Sequence, residues 1–246
     1  MQFRKVCTCA ALLLTIVAFC FDVEAQDREN PEPTNPELAP ELTKVLAQID
    51  AVSAKFSSFS AKFTQKKYLA ILKEFETPES GEFFYTLDRK GDENSIQMRH
   101  EVMVPANRIT TIKGDTATVY QPAMKQAQVY GLGKRKNLVE YLATGLGQSS
   151  AKLQEQFQIS YGGQESINGV VCSVLTLVPK SQSAAASVKS ITIWFRQSTG
   201  TPIQYKFLEP TGDYMLETFS EDKLNSKIAD DKFEQKFPRG TEVVKF

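Results

Sequence analysis

Apolar and polar residues alternate along the segment Phe56–Tyr68. If this segment is extended, one face carries Phe59, Ala61 and Phe63, and the other carries Ser58, Ser60, Lys62 and Thr64. A period of two residues is typical of a strand in a sheet that has one buried face and one solvated face. Similar stretches follow along the rest of the chain. The sequence therefore predicts one curved antiparallel sheet that begins at this strand.

Further strands are predicted where alternating or apolar runs are bounded by turn residues. These runs are Gly81–Leu87, Ser95–Val104, Arg108–Lys113, Thr116–Tyr120, Gln126–Tyr130, Phe157–Tyr161, Val170–Val178, Val188–Arg196, Ile203–Phe207 and Tyr214–Leu224. Gly114-Asp115 and Asn168-Gly169 each connect two of the runs, which predicts tight hairpin turns. Thr77–Gly81 and Asp88–Asn94 are predicted turns, and Ser181–Ser187 is a predicted loop. This spacing is typical of an antiparallel sandwich or barrel.

Three segments have helical periodicity instead. Glu41–Phe56 repeats apolar residues at steps of three and four, which predicts an amphipathic helix lying on the apolar face of the sheet. Lys134–Thr144 is a second predicted helix, with Gly145 as its C-cap. Ser149–Gln156 is a third, weaker helix with a serine cap and Leu153 as its only apolar anchor. So few helices in a β-rich chain are expected to lie together as a plug or lid.

The first 25 residues have the features of a cleavable signal peptide. Arg4 and Lys5 precede the apolar run Val6–Phe21, which is shorter than the ~20 residues needed to span a bilayer. Val23-Glu24-Ala25 then offers small residues for cleavage. Residues 26–40 are rich in proline and acidic residues, which predicts a disordered lead. We expect a secreted protein with one domain over residues 41–246.

Composition argues against several classes of function. The chain has 29 Lys+Arg and 29 Asp+Glu and no basic stripe, so nucleic acid is not an expected partner. Its single histidine, His100, excludes a histidine-based metal cluster, and no G-x-S-x-G motif is present. We therefore predict no catalytic residues, no metal and no cofactor. Cys172 is the one cysteine outside the signal peptide and is predicted to be a small buried residue.

The order of several short motifs resembles the periplasmic lipoprotein carrier family LolA. They are Ser57–Lys66 after an amphipathic helix, the strand from Gly81, Val104-Pro105, Gly114-Asp115, Tyr120-Gln121-Pro122, Leu177-Val178-Pro179, Ile191–Phe195, Gly200-Thr201-Pro202, Gly212 and Phe233 to Val243. The resemblance covers about Glu41 to Val244. Each motif is weak by itself, and it is their order and spacing that are specific.

The resemblance implies a fold and a function. The fold is an incomplete, unclosed antiparallel β-barrel with a helical lid over a hydrophobic cavity. The function is that of a periplasmic chaperone that accepts lipoproteins from an inner-membrane release complex, holds their acyl chains, and delivers them to an outer-membrane acceptor. We expect such a carrier to be a monomer and not an enzyme.

One position departs from the family pattern. Family carriers place an arginine, followed by proline, six residues after the glycine that starts the second main strand, and that arginine hydrogen-bonds the lid. Here the position is Leu87, followed by Asp88, with Arg89 two residues on. Three alternatives stay open: the lock is absent, it is rebuilt with Arg89, or side-chain packing replaces it.

The predicted lining of the lipid-binding cavity is the apolar face of the sheet. The candidates are Phe59, Phe63, Phe83, Tyr85, Ile96, Met98, Val102, Ile109, Ile191, Ile193 and Phe195. Each could equally be ordinary core, because a half-buried sheet shows the same alternation without a ligand. His100 falls on the same face, where it is either a structural residue with satisfied hydrogen bonds or a pH-linked gate.

Two other functions remain as alternatives. The chain could be a binding module of the same fold that carries another lipid or senses lipoproteins, because fold does not fix function. It could also be a hydrolase that uses His100 with a serine, although no nucleophile motif supports this.

Overall fold

The computed structural model describes residues 39–90, 93–133 and 144–246. The predicted signal peptide and nearly all of the predicted lead lie outside the described residues, and so does the predicted helix Lys134–Thr144 up to its last residue. Helix α1 spans Ala39–Ser53, so the last two residues of the predicted lead belong to it. The helix predicted from the three- and four-residue repeat is confirmed and ends three residues earlier than expected.

Two short α-helices follow later in the described chain, besides 3-10 turns at Pro122–Met124 and Asp230–Phe233. Helix α2 (Ser150–Gln156) is confirmed, and the Ser149 side chain caps it by accepting a hydrogen bond from the backbone N–H of Lys152 at 3.3 Å. Helix α3 (Gln182–Ala185) lies where a loop was predicted over Ser181–Ser187, so the loop prediction was wrong. Ser181 caps α3 in the same way, from the N–H of Ala184. The serine cap satisfies one backbone N–H at the start of this turn, and Ala184 within the turn is buried.

The described residues form thirteen strands in a single sheet. They are β1 (Ser58–Leu69), β2 (Glu74–Phe75), β3 (Glu79–Lys90), β4 (Glu93–Val104), β5 (Arg108–Lys113), β6 (Thr116–Gln121), β7 (Gln126–Gly131), β8 (Phe157–Ile167), β9 (Val170–Pro179), β10 (Ser190–Arg196), β11 (Pro202–Leu208), β12 (Tyr214–Leu224) and β13 (Glu242–Lys245). Their order is β13-β7-β6-β5-β4-β3-β1-β12-β11-β10-β9-β8, with β2 paired only to β1. All pairs are antiparallel except β13 with β7, which is parallel. In this part of the chain the path is not closed into a barrel, which confirms the predicted unclosed antiparallel sheet.

Several predicted strand ends were wrong. The expected turns at Thr77–Gly81 and Asp88–Asn94 are shorter, because β3 runs from Glu79 to Lys90 and β4 begins at Glu93. Charged residues near the β3–β4 turn stay in the ladder, where Asp88 pairs with Ser95. The hairpin at Asn168-Gly169 is confirmed, with both residues at positive φ as a tight turn requires.

The core lies between one face of the sheet and α1. Val45 and Ile49 of α1 belong to the same buried cluster as strand residues such as Phe59 and Phe63. A smaller cluster of Cys172, Val174, Trp194 and Ile203 packs separately. In the β9–β10 ladder, Val174 is paired with Trp194 and its neighbour Leu175 with Ile193, so the two clusters lie on opposite faces of the sheet. The prediction that Cys172 is a small buried residue is therefore confirmed.

Candidate functional site

The inner face of the sheet, toward α1, is a continuous apolar interior. The candidates Phe59, Val102, Ile191 and Ile193 are each 0% exposed, and Tyr85 and Phe195 are 1% exposed. Phe63, Phe83 and Met98 belong to the same buried cluster, and half-buried Ile96 packs against it. Alternation along the strands therefore placed these side chains together. Their contact with a lipid stays a prediction.

Ile109 does not share this interior. In the β4–β5 ladder it is paired with Glu101, whereas Ile112 is paired with the buried Met98. Ile112 therefore faces the interior, and Ile109 lies on the outer face. There it lines a groove together with Arg99, Tyr120, Asp231, Glu234, Gln235 and Lys236. The inclusion of Ile109 in the lining is corrected, because the strand register turns it to the other side of the sheet.

Hydrogen bonds tie α1 to the segment that leads into α2. Asp50 accepts two of them from Ser150, at 2.7 Å from the backbone nitrogen and at 2.6 Å from Oγ. The Ser53 hydroxyl donates to the carbonyl of Gly147 at 2.9 Å, and this bond is buried. At the other side of the helix, Gln48 donates to the carbonyl of Gln197 at 3.2 Å. The helix is thus held over the interior by its apolar face and a few polar contacts.

Leu87, at the position of the family's lid arginine, packs against the same segment. It is 7% exposed and lies in the apolar cluster. A Cβ added at Gly147 would lie 2.9 Å from Leu87 Cδ2 and 2.5 Å from Phe56 Cδ1. The backbone of the segment before α2 therefore rests directly on these two side chains. Arg89 lies in β3 opposite Asn94. Leu87 thus packs against this segment, and the choice among the three alternatives for the lock stays a prediction.

Three polar side chains also lie inside the apolar interior. His100 of β4 stacks on Phe63 with ring centroids 4.1 Å apart, and its Nε2 is 3.5 Å from Oε2 of Glu217 on β12. Glu217 is paired with Tyr205 in the β11–β12 ladder. Among the described residues, His100 Nδ1 and the Tyr205 hydroxyl have no hydrogen-bond partner. Burial, followed by the charge of Glu217 and by Tyr85, raises the pKa of Tyr205 well above its ordinary value.

Glu217 and Tyr205 were not singled out from the sequence. The available signal was the alternation in Tyr214–Leu224, which puts Glu217 on the same face as Phe219. A carboxylate on an apolar face is uncommon and needs a partner. The expectation of a fully satisfied His100 is half right: the ring is buried and stacked, but only one of its nitrogens faces a partner.

Neither a metal-binding cluster nor a membrane-spanning helix is found among the described residues. No three histidine, cysteine, aspartate or glutamate side chains within them could hold a metal ion together. None of the helices among these residues has the length and apolar character required to cross a membrane.

These features define a class of β-rich protein in which an open, curved sheet and an amphipathic helix enclose an apolar interior. The family model described as outer membrane lipoprotein carrier protein LolA matches residues 54–236. The chain belongs to this LolA family.

Several solved structures are similar to this chain at low sequence identity. An uncharacterized conserved protein from Thermus thermophilus is 9% identical, with a TM-score of 0.50 over 84% of this chain and 99% of that chain. MucB is 13% identical, with a TM-score of 0.48 over 84% of this chain and 66% of its own length. A LolA superfamily protein from Nitrosomonas europaea is 17% identical, with a TM-score of 0.34 over 78% and 97% of the two chains. No curated protein matches the sequence significantly.

Proposed function

We propose that this protein is a periplasmic carrier that binds the acyl chains of lipoproteins and moves them from the inner to the outer membrane. The observation that carries the proposal is the continuous apolar interior between the sheet and α1. Membership of the LolA family supports the same assignment. The predicted signal peptide over residues 1–25 would direct the chain to the periplasm. Its partners would be an inner-membrane release complex and an outer-membrane acceptor.

The chemistry of the interior suits reversible binding of a hydrocarbon. Burial of each CH₂ is worth ~0.8 kcal/mol, so one chain of roughly 14 carbons gains ~11 kcal/mol on leaving water. Apolar walls supply this without directional bonds, and Met98 can repack around different chains because its thioether side chain is flexible. Release then needs only a competing apolar environment.

Entry of an acyl chain requires movement of α1. Val45 and Ile49 already contact the sheet's apolar face, so a bound chain has to take their place. The side chains of Gln48, Asp50 and Ser53 make polar contacts that hold α1. Because α1 is not a strand of the sheet, it can separate from the sheet without breaking any ladder.

The test is transfer of a lipoprotein by variants that put charge into the interior. Phe63→Glu and Met98→Glu should lower release of a lipoprotein from inner-membrane vesicles at least tenfold, because a buried carboxylate opposes hydrocarbon burial. Thr64→Glu is the matched control, since Thr64 adjoins Phe63 in β1 but is exposed. Circular dichroism and thermal unfolding establish that each variant folds. Undiminished transfer by a folded Met98→Glu protein contradicts the proposal.

A second experiment does not depend on how the charged variants fold. A lipoprotein whose acyl chains end in a photoreactive diazirine is bound to the natural protein and irradiated. Crosslinks should map to interior residues such as Met98 and Ile193 and not to the outer groove around Ile109. Crosslinks confined to the outer surface would overturn the assignment of the interior as the binding site.

Leu87 favours a second candidate function. Because a leucine packs where family carriers have a lid arginine, the protein can instead be a binding module of the same fold that carries another lipid or senses lipoproteins. Mass spectrometry of ligands that copurify from the native host separates the two. Triacylated peptide supports the carrier, and free lipid supports the module.

A further inference from the structure

His100 and Glu217 meet inside the apolar interior although their strands are not neighbours. β4 and β12 are separated by β3 and β1, which is about 14 Å in a flat sheet with strands ~4.8 Å apart. Their side-chain atoms nevertheless lie 3.5 Å apart. The curl of the sheet therefore turns both side chains toward the same point of the interior.

These buried polar groups are incompletely paired. His100 is 5% exposed, Glu217 7% and Tyr205 3%, so water has little access to them. Within the described part of the chain, His100 Nδ1 and the Tyr205 hydroxyl find no hydrogen-bond partner. A buried polar atom without a partner is unfavourable in a protein interior, and such groups in native structures call for an explanation. A ligand that enters this interior could pair both atoms.

The hydrogen-bonding capacities of the two residues define the ligand. When Nε2 carries the proton toward Glu217, neutral His100 presents Nδ1 as an acceptor only. In this tautomer, the ligand atom that pairs with Nδ1 is a donor, an N–H or an O–H. The Tyr205 hydroxyl stays protonated and can donate to a ligand carbonyl. A secondary amide supplies both a donor and an acceptor, on opposite edges of one planar group, whereas an ester supplies only acceptors.

We propose that His100 and Tyr205, held by Glu217, form a polar subsite that binds an amide group at the head of an acyl chain. This rests on the proposed function and narrows its ligand to N-acylated compounds. In the subsite the ligand N–H donates to His100 Nδ1, and the ligand carbonyl accepts from the Tyr205 hydroxyl. The acyl chain continues along the apolar wall formed by Phe63 and its neighbours.

Three probes with the same 16-carbon chain test the preference by isothermal titration with the full mature protein. They are an N-palmitoyl-cysteinyl peptide, N-palmitoylethanolamine and methyl palmitate. Both amides should bind about tenfold more tightly than the ester, as expected for one or two added hydrogen bonds. Tighter binding of the peptide than of the ethanolamide would indicate a lipoprotein source, and equal binding a free N-acyl lipid. Either result supports the subsite.

Conservative variants identify the residues responsible. His100→Phe keeps an aromatic ring on Phe63 and Tyr205→Phe removes one oxygen atom. Each should reduce the amide preference at least threefold, with little change in binding of methyl palmitate. Tyr130→Phe is the matched control, because the Tyr130 hydroxyl already donates to Gln128 at 2.9 Å outside this cluster. Its amide preference should equal that of the natural protein.

The outcomes separate the subsite from the carrier assignment. If the natural protein binds amide and ester equally well, the subsite is refuted and the carrier assignment stands. If the preference survives in both phenylalanine variants, the polar cluster has a structural role only. If none of the three probes binds, both proposals fail. If the variants do not fold, the comparison of amide and ester binding by the natural protein still tests whether the subsite exists.

Discussion

Asp50 on α1 accepts hydrogen bonds from both the backbone nitrogen and the hydroxyl of Ser150, at 2.7 Å and 2.6 Å. These two residues are far apart in the sequence, and they join the helix that covers the interior to the first turn of α2. Because the carboxylate satisfies a backbone N–H at a helix start, it acts as a cap supplied by another helix. The contact links the stability of α2 to the position of α1.

Removal of this contact should loosen the cover. Asp50→Ala is expected to lower the free energy of unfolding by about 1–2 kcal/mol, because it leaves a helix-start N–H without its acceptor. It should also speed exchange of bound lipid, measured by loss of a fluorescent acyl probe. Asp50→Asn is the matched variant, because it keeps one acceptor oxygen. Its free energy of unfolding and its rate of lipid exchange should lie between those of the natural protein and Asp50→Ala. Unchanged stability and exchange in Asp50→Ala would show that apolar packing alone holds α1.

Replacement of Leu87 by a charged residue should lower the free energy of unfolding more than its replacement by alanine. Leu87→Ala is expected to cost about 2–5 kcal/mol in urea unfolding, as for a buried leucine. Leu87→Arg restores the family residue but places a guanidinium against Phe56 and the backbone of Gly147, so it should cost more. Thr86→Ala, one position away and on the other side of β3, serves as the control. A Leu87→Arg protein as stable as the natural one would mean that the arginine finds a lid acceptor.

Gly81 is required by the close approach of β3 and β4. A Cβ at this position would lie 1.8 Å from the carbonyl oxygen of Glu101, which is backbone and cannot move aside alone. Gly81→Ala should therefore destabilise the protein by more than about 3 kcal/mol, measured by urea unfolding. Gly131→Ala is a matched control in another strand, where an added Cβ meets no atom within 4 Å. Equal effects of the two substitutions would contradict the steric account.

The thiol of Cys172 should not react with thiol reagents in the folded protein. The side chain is 0% exposed, so reagents cannot reach it. Burial also raises the pKa of its thiol, which lowers the fraction of the reactive thiolate. A thiol reagent at pH 8 should modify it only after unfolding in urea. Because the folded-state pKa lies above the unfolded-state value, the neutral thiol contributes stability that is lost as pH rises past the unfolded-state pKa. In Cys172→Ala, stability should fall less steeply as pH rises. Fast modification of the native protein by the thiol reagent would contradict the burial of Cys172.

Most of the fold could be predicted from local patterns. Alternation located the long strands, because a strand with one buried face must repeat every two residues. The three- and four-residue repeat located α1, and Asn168-Gly169 located a hairpin. Errors fell where the local signal is weak, as at the small-residue segment that became α3 and the charged end of β3. In both places, hydrogen bonding of the backbone outweighed composition.

The candidate site shows where the pattern fails. Arg108–Lys113 has apolar residues at Ile109 and Ile112, which have opposite parity, so the sequence does not say which of them faces inward. The register against Met98 decides for Ile112. The proximity of His100 and Glu217 could not be predicted from the sequence, for a different reason. His100 and Glu217 lie on strands separated by two others, and no local pattern specifies how far the sheet bends between them.

The sequence by itself determined the β-rich class, the helix that covers the sheet, and the family to which the chain belongs, because these depend on short-range periodicity and on the order of motifs. Only the tertiary structure decided that Leu87 packs under the segment before α2 and that Ile109 faces outward. It also decided that a carboxylate and an imidazole meet in the apolar interior that holds Tyr205. The physical reason is that strand register and sheet curvature are set by the packing of all strands together. Residues distant in the chain become neighbours only when that packing is complete.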